Sequence, residues 1–191
     1  MGAISPPPFV DATMMDKVKT RIIEPTLKGL QHRQLDYKGF IFFGLISVDN
    51  EPHVIEYNCR LGDPETEVII PRITSDFVSI IEGIYNGKLS EIEVEISANS
   101  AATIMLVSQG YPEKYAKGKE IIIDKSITDS IIFHAGTVLS EYDIVTNGGR
   151  VIAVTSYADN HKNAVIKSLK NIERIHFDGM NYRTDIGFDL S

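Results

Sequence analysis

The stretch EYNCRLGDPETE (Glu56–Glu67) constrains the fold more than any other part of this sequence. It continues the run PHVI and brings four carboxylates, one amide and one guanidinium into twelve residues. The run before it has the length and composition of a β-strand, and the Gly-Asp-Pro that follows is typical of a turn leading into a helix. A polar strand end beside a helix N-terminus is an arrangement that can bind a metal-chelated phosphate.

Side chains alternate between the two faces of a strand, which predicts that Val54, Glu56 and Asn58 share one face. Arg60 would join them if the strand continues that far. Glu56 and Asn58 would have Cα atoms about 7 Å apart, so their oxygens could converge on a hard cation such as Mg²⁺. A guanidinium next to them could bind a phosphate through two hydrogen bonds. A solvated polar face explains the same alternation, and the spacing alone leaves both interpretations open.

The segment GDPETE also allows two interpretations. Gly62 permits a sharp turn, Asp63 is a candidate N-cap, and Pro64 suits the first helical position. Glu65 and Glu67 would then lie near the positive end of the helix dipole. These features describe an ordinary helix start, but a helix N-terminus can also receive an anion.

The N-terminal half of the chain predicts helices and one antiparallel strand pair. Residues 1–10 are expected to form a loop, because three consecutive prolines fit neither a helix nor a central strand. Asp11 is a candidate N-cap for a long helix that Pro25 should kink or interrupt. Residues 37–48 and 53–58 predict two strands joined by the turn DNEP.

The next segments predict two helices and one further strand. A short helix is expected over residues 64–73, and a second one from Ser75 or Asp76 to Gly87. The strict alternation of residues 90–97 predicts a half-exposed strand.

The composition changes at the small polar stretch SANSAA, where we place a domain boundary between residues 97 and 98. Beyond it, short strands are predicted for TIMLVSQ, EIIID, IIFHAGTV and RVIAVTSYA, and an amphipathic helix for residues 160–175. The segment TNGG (Thr146–Gly149) is typical of a hairpin turn, with a functional loop as the alternative. The sequence therefore predicts an α+β protein with domains over residues 1–97 and 98–191.

Composition narrows the possible functions. The formal net charge is −7 over 191 residues, which argues against a dedicated nucleic-acid surface. Cys59 is the only cysteine, so no internal disulfide can form, and a reducing, cytoplasmic setting is expected. Alternation places this cysteine on the apolar strand face, where it should be a core residue. Apolar runs are too short to span a bilayer, which predicts a soluble protein with no membrane partner.

The chain resembles the phosphoribosylamine–glycine ligases (glycinamide ribonucleotide synthetases), a family of the ATP-grasp superfamily. The resemblance extends from Met1 to about Gly187 and rests on motifs in the family order: MGAISP, GFIFFGL, VIEYNCRLGDPETE, GYP, FHAGT and TNGGRVIAVT. It implies the C-terminal portion of an ATP-grasp domain, made of antiparallel strands and helices. A small, mostly antiparallel β domain with a C-terminal helix is implied after it.

The resemblance also implies a reaction. Enzymes of this family use ATP to phosphorylate glycine, and the amine of 5-phosphoribosylamine then displaces phosphate from the glycyl phosphate. The products are glycinamide ribonucleotide, ADP and phosphate, in de novo purine biosynthesis. ATP, glycine and 5-phosphoribosylamine are thus the expected partners of this chain, which we expect to be a monomer.

Residue roles follow from the same resemblance. Glu56 and Asn58 are implied to be ligands of Mg²⁺, or of Mn²⁺, that bridges the nucleotide phosphates. Arg60 is implied to be catalytic, as a stabiliser of charge on the transferring phosphoryl group or the acyl phosphate. The adjoining substrate- and phosphate-binding loop is implied to consist of Gly62, Asp63, Pro64 and Glu65.

Family members are far longer than this chain and carry an N-terminal domain and the first part of the ATP-grasp module before the matching region. This predicts a C-terminal fragment that is inactive alone and whose partner is the missing N-terminal half of the same enzyme. Two alternatives remain at this point: a non-catalytic binding module derived from the ligase, and another ATP-grasp ligase.

Overall fold

The structure is a computed structural model that describes residues 1–190, and within this range it contains five α-helices and eleven strands. The helices are α1 (Ala12–Val18), α2 (Glu24–His32), α3 (Thr66–Ile69), α4 (Phe77–Asn86) and α5 (His161–Ile172). The strands are β1 (Gly2–Ser5), β2 (Phe42–Val48), β3 (Glu51–Asn58), β4 (Ser100–Ser108), β5 (Ile122–Ile123), β6 (Ser130–His134), β7 (Thr137–Ser140), β8 (Asp143–Thr146), β9 (Arg150–Ala158), β10 (Ile175–His176) and β11 (Met180–Asn181). None of the helices in residues 1–190 is long and apolar enough to cross a membrane.

The chain folds into two compact units. The hairpin unit comprises Pro7–Gly62 and Ile73–Ile96. The sheet unit comprises Met1–Pro6, Asp63–Arg72 and the residues from Ser97 onward.

The long helix predicted after Asp11 forms in the hairpin unit and changes geometry before Pro25. The Asp11 carboxylate accepts a hydrogen bond from the Met14 N–H at 2.7 Å, as an N-cap does. Between α1 and α2, Lys19–Ile23 is π-helical. A proline has no N–H and its ring crowds the carbonyl four residues earlier, so a regular α-helical turn cannot continue through it. The predicted interruption at Pro25 is confirmed.

Strands β2 and β3 form the predicted antiparallel pair. Asp49 and Asn50 connect them with positive φ angles of 52° and 60°, which is the backbone of a type I′ turn. The turn is shorter than the predicted DNEP, so β3 begins at Glu51 instead of His53.

Helix α4 follows the prediction at both ends. Asp76 is the N-cap and accepts from the Ser79 N–H at 2.7 Å. Gly87 ends the helix with a φ of 69°, a conformation that glycine adopts without a steric penalty.

The prediction of a strand over residues 90–97 is wrong. This segment begins with a 3₁₀ turn, Leu89–Glu91, and makes one isolated β-bridge, between Ile96 and Ile73. The partner residue Ile73 belongs to a segment of only three residues between the 3₁₀ turn Ile70–Arg72 and the N-cap of α4. This segment is too short to form a longer β-ladder with residues 90–97.

The sheet unit is built on a five-stranded antiparallel sheet. Strands β1, β4, β9 and β6 are neighbours in that order. Strand β11 also pairs with β4. Residues 2–5, expected to be loop, form β1 because the prolines begin only at Pro6 and leave the N–H groups before them available for pairing. Buried residues of β4 and β9 form the centre of the core.

Helix α5, the predicted C-terminal helix, packs on β4 and β9. The Asn160 side chain caps it by accepting from the Asn163 N–H at 2.9 Å. Ala164 and Ile172 are fully buried on its inner face. Ser168 donates to the carbonyl of Ala102 at 3.0 Å, which satisfies a hydroxyl inside the core.

The division of the chain differs from the predicted boundary. One crossing between the units lies after Ile96, next to the predicted position, but residues 1–6 and 63–72 belong with the later part of the chain. Two contacts explain this: β1 pairs with β4, and the Arg72 guanidinium donates to the Ser5 hydroxyl and the Ser97 carbonyl, both at 2.8 Å. These bonds tie three chain segments into one sheet unit.

Candidate functional site

Glu56 and Asn58 lie side by side at the end of β3. The Asn58 Nδ2 donates to Glu56 Oε1 at 2.8 Å. The Glu56 side chain is exposed and Asn58 is half-buried, so a cation can reach their oxygens. The hairpin unit therefore presents a carboxylate and an amide at one point of its surface.

A β-bulge modifies the faces that strict alternation predicts. Glu56 and Asn58 pair with Gly44 and Phe42, which are alternate residues of β2, so they share a face as expected. The register then shifts by one extra residue of β3, and Val54 falls on the opposite face. The predicted grouping of Val54 with the two polar residues is wrong, because the alternation does not run through the bulge.

Gly44 makes room for the Glu56 side chain. A Cβ placed on Gly44 would lie 2.8 Å from the Glu56 Cγ, closer than side chains tolerate. A glycine inside a strand pattern is a signal of such a close approach or of a bulge, and here it marks both. Gly44 therefore shapes the candidate site although it lies outside the motif of residues 56–67.

Arg60 and Cys59 lie beyond the strand. Strand β3 ends at Asn58 and does not reach Arg60. The alternation of the strand therefore does not place Arg60 on the face of Glu56 and Asn58. The Arg60 guanidinium is exposed, and its Nη1 donates to the carbonyl of Leu61 at 2.9 Å. Cys59 is exposed, and its expected place in the core is wrong, because this face of the hairpin is not covered within the described residues: Tyr57, inside β3, is exposed by 53% as well.

The predicted substrate loop starts at Gly62, the last residue of this part of the hairpin unit, and continues into the sheet unit. Helix α3 begins at Thr66, with Glu65 in the capping position and no side-chain capping bond. Asp63 is therefore not the N-cap and Pro64 is not the first helical residue, contrary to expectation.

Asp63 instead contacts a distant arginine. The Arg150 Nη1 donates to the Asp63 carbonyl at 3.1 Å, and the Arg150 Nη2 lies 3.5 Å from the Asp63 Oδ2. Arg150 also approaches the Met1 Sδ at 3.7 Å. No local signal in the sequence pairs Asp63 with an arginine 87 residues away.

Glu67 has a partly buried carboxylate. Its Oε2 is buried without a hydrogen-bond partner among the described residues. Burial raises the pKa of the Glu67 carboxyl, and the charges of Asp63 and Glu65 raise it further, while its own backbone N–H and Arg150 oppose the shift. The sequence predicted a place near the helix dipole for Glu67 but not this burial.

The segment TNGG is not the predicted hairpin turn. Strand β8, before it, pairs with β7, and β9, after it, belongs to the five-stranded sheet. The backbones of Gly136 and Gly148 lie so close that a Cβ on Gly136 would be 2.6 Å from the Gly148 Cα. The Ser108 hydroxyl donates to the Gly148 carbonyl at 2.9 Å and holds the segment in place. TNGG is thus a fixed connection that leads into Arg150.

Comparison with known proteins agrees with this architecture. Residues 1–66 match the ATP-grasp (A) domain of phosphoribosylglycinamide synthetase, and residues 101–189 match its C domain. A phosphoribosylamine–glycine ligase of Neisseria meningitidis serogroup A is 41% identical over 189 residues, which is 97% of this chain and 45% of the relative. The trifunctional purine biosynthetic protein adenosine-3 of Bos taurus is 38% identical over 191 residues, which cover 19% of its length.

A solved structure supports the same assignment. The crystal structure of phosphoribosylamine–glycine ligase from Thermotoga maritima superimposes with a TM-score of 0.86 at 34% identity, over 97% of this chain and 46% of that one. The fold class is thus the expected one, the C-terminal part of an ATP-grasp domain and the C domain that follows it. More narrowly, the chain belongs to the phosphoribosylglycinamide synthetase family. It spans about 45% of the length of the curated ligases it matches.

Proposed function

We propose that this chain supplies the metal- and phosphate-binding strand end of a ligase that joins glycine to 5-phosphoribosylamine with ATP. The observation that carries the proposal is the adjacent pair of Glu56 and Asn58 in a family of phosphoribosylamine–glycine ligases. The reaction passes through glycyl phosphate and yields glycinamide ribonucleotide, ADP and phosphate. We place it in the cytoplasm and in de novo purine biosynthesis, with the chain acting in a monomeric enzyme.

The residues present fit a divalent cation. Two neighbouring ligands of an octahedral Mg²⁺ stand about 2.9 Å apart when each lies about 2.0–2.1 Å from the ion. The ends of the Glu56 and Asn58 side chains are 2.8 Å apart, and a half-turn of the Asn58 amide exchanges its nitrogen for its oxygen. No group of three or more His, Cys, Asp or Glu side chains in residues 1–190 is placed to hold a metal. Substrate phosphates would therefore complete the coordination, as is usual for Mg²⁺ and acceptable to Mn²⁺.

Each residue then has a chemical role. Glu56 contributes a formal negative charge and Asn58 a neutral oxygen, which together orient a bound cation. Such a cation would neutralise phosphate charge and draw electrons from the transferring phosphoryl group. Arg60 contributes a permanently charged planar fork that binds two anionic oxygens at once. Gly62, Asp63, Pro64 and Glu65 are proposed to form the loop that contacts the substrates.

The exposed apolar surface of the hairpin unit supports a larger assembly. Ile46, Ile55 and Tyr57 are exposed by 50%, 66% and 53%, although all three belong to strands. By the strand register, Ile46 lies on the face of Glu56 and Tyr57 on the opposite face, so both faces of the β2–β3 pair carry exposed apolar side chains, as is typical of surfaces that another protein segment covers. We propose that the remainder of an ATP-grasp domain, as found in the longer relatives, packs here and is required for catalysis.

A chimera tests the proposal. This chain would replace the matching region of the Neisseria meningitidis ligase, and the product formed from ATP, glycine and 5-phosphoribosylamine would be measured. We expect product that depends on all three substrates and is lost in a chimera carrying Glu56→Ala and Asn58→Ala. A folded chimera that makes no product would favour a non-catalytic module. One that uses another carboxylate in place of glycine equally well would favour a different ATP-grasp ligase.

A further inference from the structure

Arg150 stands at the junction of two motifs that are distant in sequence. It ends TNGGR, which no proposed role has yet used, and it contacts the Asp63 of GDPE. Both residues belong to the sheet unit. The contact is either an ion pair on the surface without a role in catalysis, or a contact that positions the Asp63–Glu65 segment.

The backbone directs Arg150 toward Asp63 in two ways. The pairing of β4 with β9 contains a bulge, because Leu106 pairs with Ile152 and Val107 pairs with Arg150. A bulge redirects the side chains around it. The preceding segment is fixed by the Ser108 hydroxyl, which bonds to the Gly148 carbonyl.

The contact acts on the main chain as well as on a charge. The Arg150 Nη1 bonds to the Asp63 carbonyl at 3.1 Å, and the Nη2 lies 3.5 Å from the Asp63 carboxylate. The first contact restrains the peptide carbonyl of Asp63, and the second restrains its side chain. A guanidinium provides this geometry, and a single ammonium group does not.

The same cation balances a local excess of negative charge. Asp63, Glu65 and Glu67 fall within five residues, and the Glu67 Oε2 is buried without a partner among the residues described. The charge of Arg150 lowers the pKa of Glu67, against the larger effects of burial and of the charges of Asp63 and Glu65. Without Arg150, the repulsion among the three carboxylates would be opposed by one positive charge fewer, and the segment would lose the contact that holds Asp63.

We propose that Arg150 is a positioning residue that holds the Asp63–Glu65 segment in the conformation in which it contacts substrate. This inference rests on the proposed function for the identity of the substrates. The holding of the segment itself is a property of this chain and is tested separately.

The first test uses the 191-residue chain and amide hydrogen exchange. Val68 and Ile69 donate their N–H groups to the Glu65 carbonyl at 3.1 and 3.0 Å, so they report on the start of α3. Arg150→Met should accelerate their exchange about tenfold, because a hydrogen bond to a charged group is lost. Unchanged exchange at both amides would overturn the proposal.

A matched control is available in the same unit. Arg174 bonds to Asp124 Oδ2 at 3.0 Å, and the two side chains are 33% and 48% exposed, against 34% and 45% for Arg150 and Asp63. Arg174→Met should leave the exchange of Val68 and Ile69 unchanged. If both variants accelerate it equally, the effect is general destabilisation and the proposal fails.

The second test measures kinetics in the chimera. Arg150→Met should lower kcat/KM for glycine about a hundredfold, since small misplacements of a substrate-contacting group have effects of this size. The KM for ATP should stay within about twofold of the unsubstituted chimera, and Arg150→Lys should restore part of the rate by keeping the charge. Equal losses for glycine and ATP, or full activity of Arg150→Met, would overturn the positioning role. A chimera with no activity, together with the expected exchange result, would refute the proposed function and leave the holding of the segment established.

Discussion

The amide of Asn58 donates a hydrogen bond to the carboxylate of Glu56 at 2.8 Å, so the fold itself brings the two candidate metal ligands together. The hairpin achieves this by pairing Asn58 and Glu56 with alternate residues of β2. Ligands that are already adjacent need little rearrangement to bind a cation, and preorganisation of this kind favours affinity.

Glu56→Gln in the chimera should increase the Mg²⁺ concentration needed for half-maximal rate by about tenfold or more, because it removes a formal charge from the ligand set. The measurement is a magnesium titration of the rate at saturating ATP and glycine. Glu91→Gln, at an exposed glutamate of the same unit, is the control and should leave the titration unchanged. Identical titrations for the Glu56 variant and the control would remove Glu56 from the metal site.

Arg60→Lys in the same chimera should lower kcat by about 10²–10³, the usual effect of removing one preorganised contact to a transferring anionic group. The KM for ATP should change much less, because lysine keeps the positive charge but loses the planar fork. Steady-state kinetics with varied ATP separate the two parameters. If the Arg60→Lys chimera keeps the kcat of the unsubstituted chimera, Arg60 has no role in catalysis and its hydrogen bond to the Leu61 carbonyl is structural.

Gly44→Ala should weaken metal binding without touching a ligand. The added methyl group would lie 2.8 Å from the Glu56 Cγ and should displace that side chain from Asn58. We expect a higher Mg²⁺ requirement in the chimera, smaller than that of Glu56→Gln. Gly29→Ala is the matched control, since a Cβ at Gly29 meets no atom within 4 Å. If the Gly44→Ala and Gly29→Ala chimeras need the same Mg²⁺ concentration for half-maximal rate, the position of the Glu56 side chain next to Gly44 does not matter for metal binding.

Local signals in the sequence account for most of the hairpin unit. Asp11, Asp76 and Gly87 all act at helix ends as their residue types predict. The hairpin and the shared face of Glu56 and Asn58 were also predictable, because alternation is a local property.

What the sequence did not reveal depends on contacts between distant residues. The pairing of β1 with β4 and the contact of Arg150 with Asp63 join segments about 100 and 87 residues apart, and no local pattern encodes them. The N-cap predicted at Asp63 is wrong because α3 begins only at Thr66, and Asp63 instead lies beside a distant arginine. The grouping of Val54 with Glu56 failed because one extra residue in β3 interrupts the alternation.

Glu67→Gln should increase the free energy of unfolding of the 191-residue chain at pH 7. Burial raises the pKa of Glu67 above its ordinary value of 4.5, so the folded state binds the proton more tightly than the unfolded state does. The resulting destabilisation is absent below about pH 4.5 and develops as the pH rises through the raised pKa. Urea unfolding at several pH values should show a gain for the variant that grows across this window and vanishes in acid. A gain of the same size at every pH would contradict an ionisation effect.

Strand β4 has a further consequence for the way this chain is made. Its partner β1 leaves the ribosome first and β4 only about a hundred residues later, while β9 and β11 follow it. The pairing of β1 with β4 therefore cannot form until the whole hairpin unit has been synthesised. Sheets assembled from such distant segments form slowly and expose unpaired strand edges in the meantime. Between the synthesis of β4 and that of β9, the edge of β4 that pairs with β9 in the folded sheet has no partner from this part of the chain.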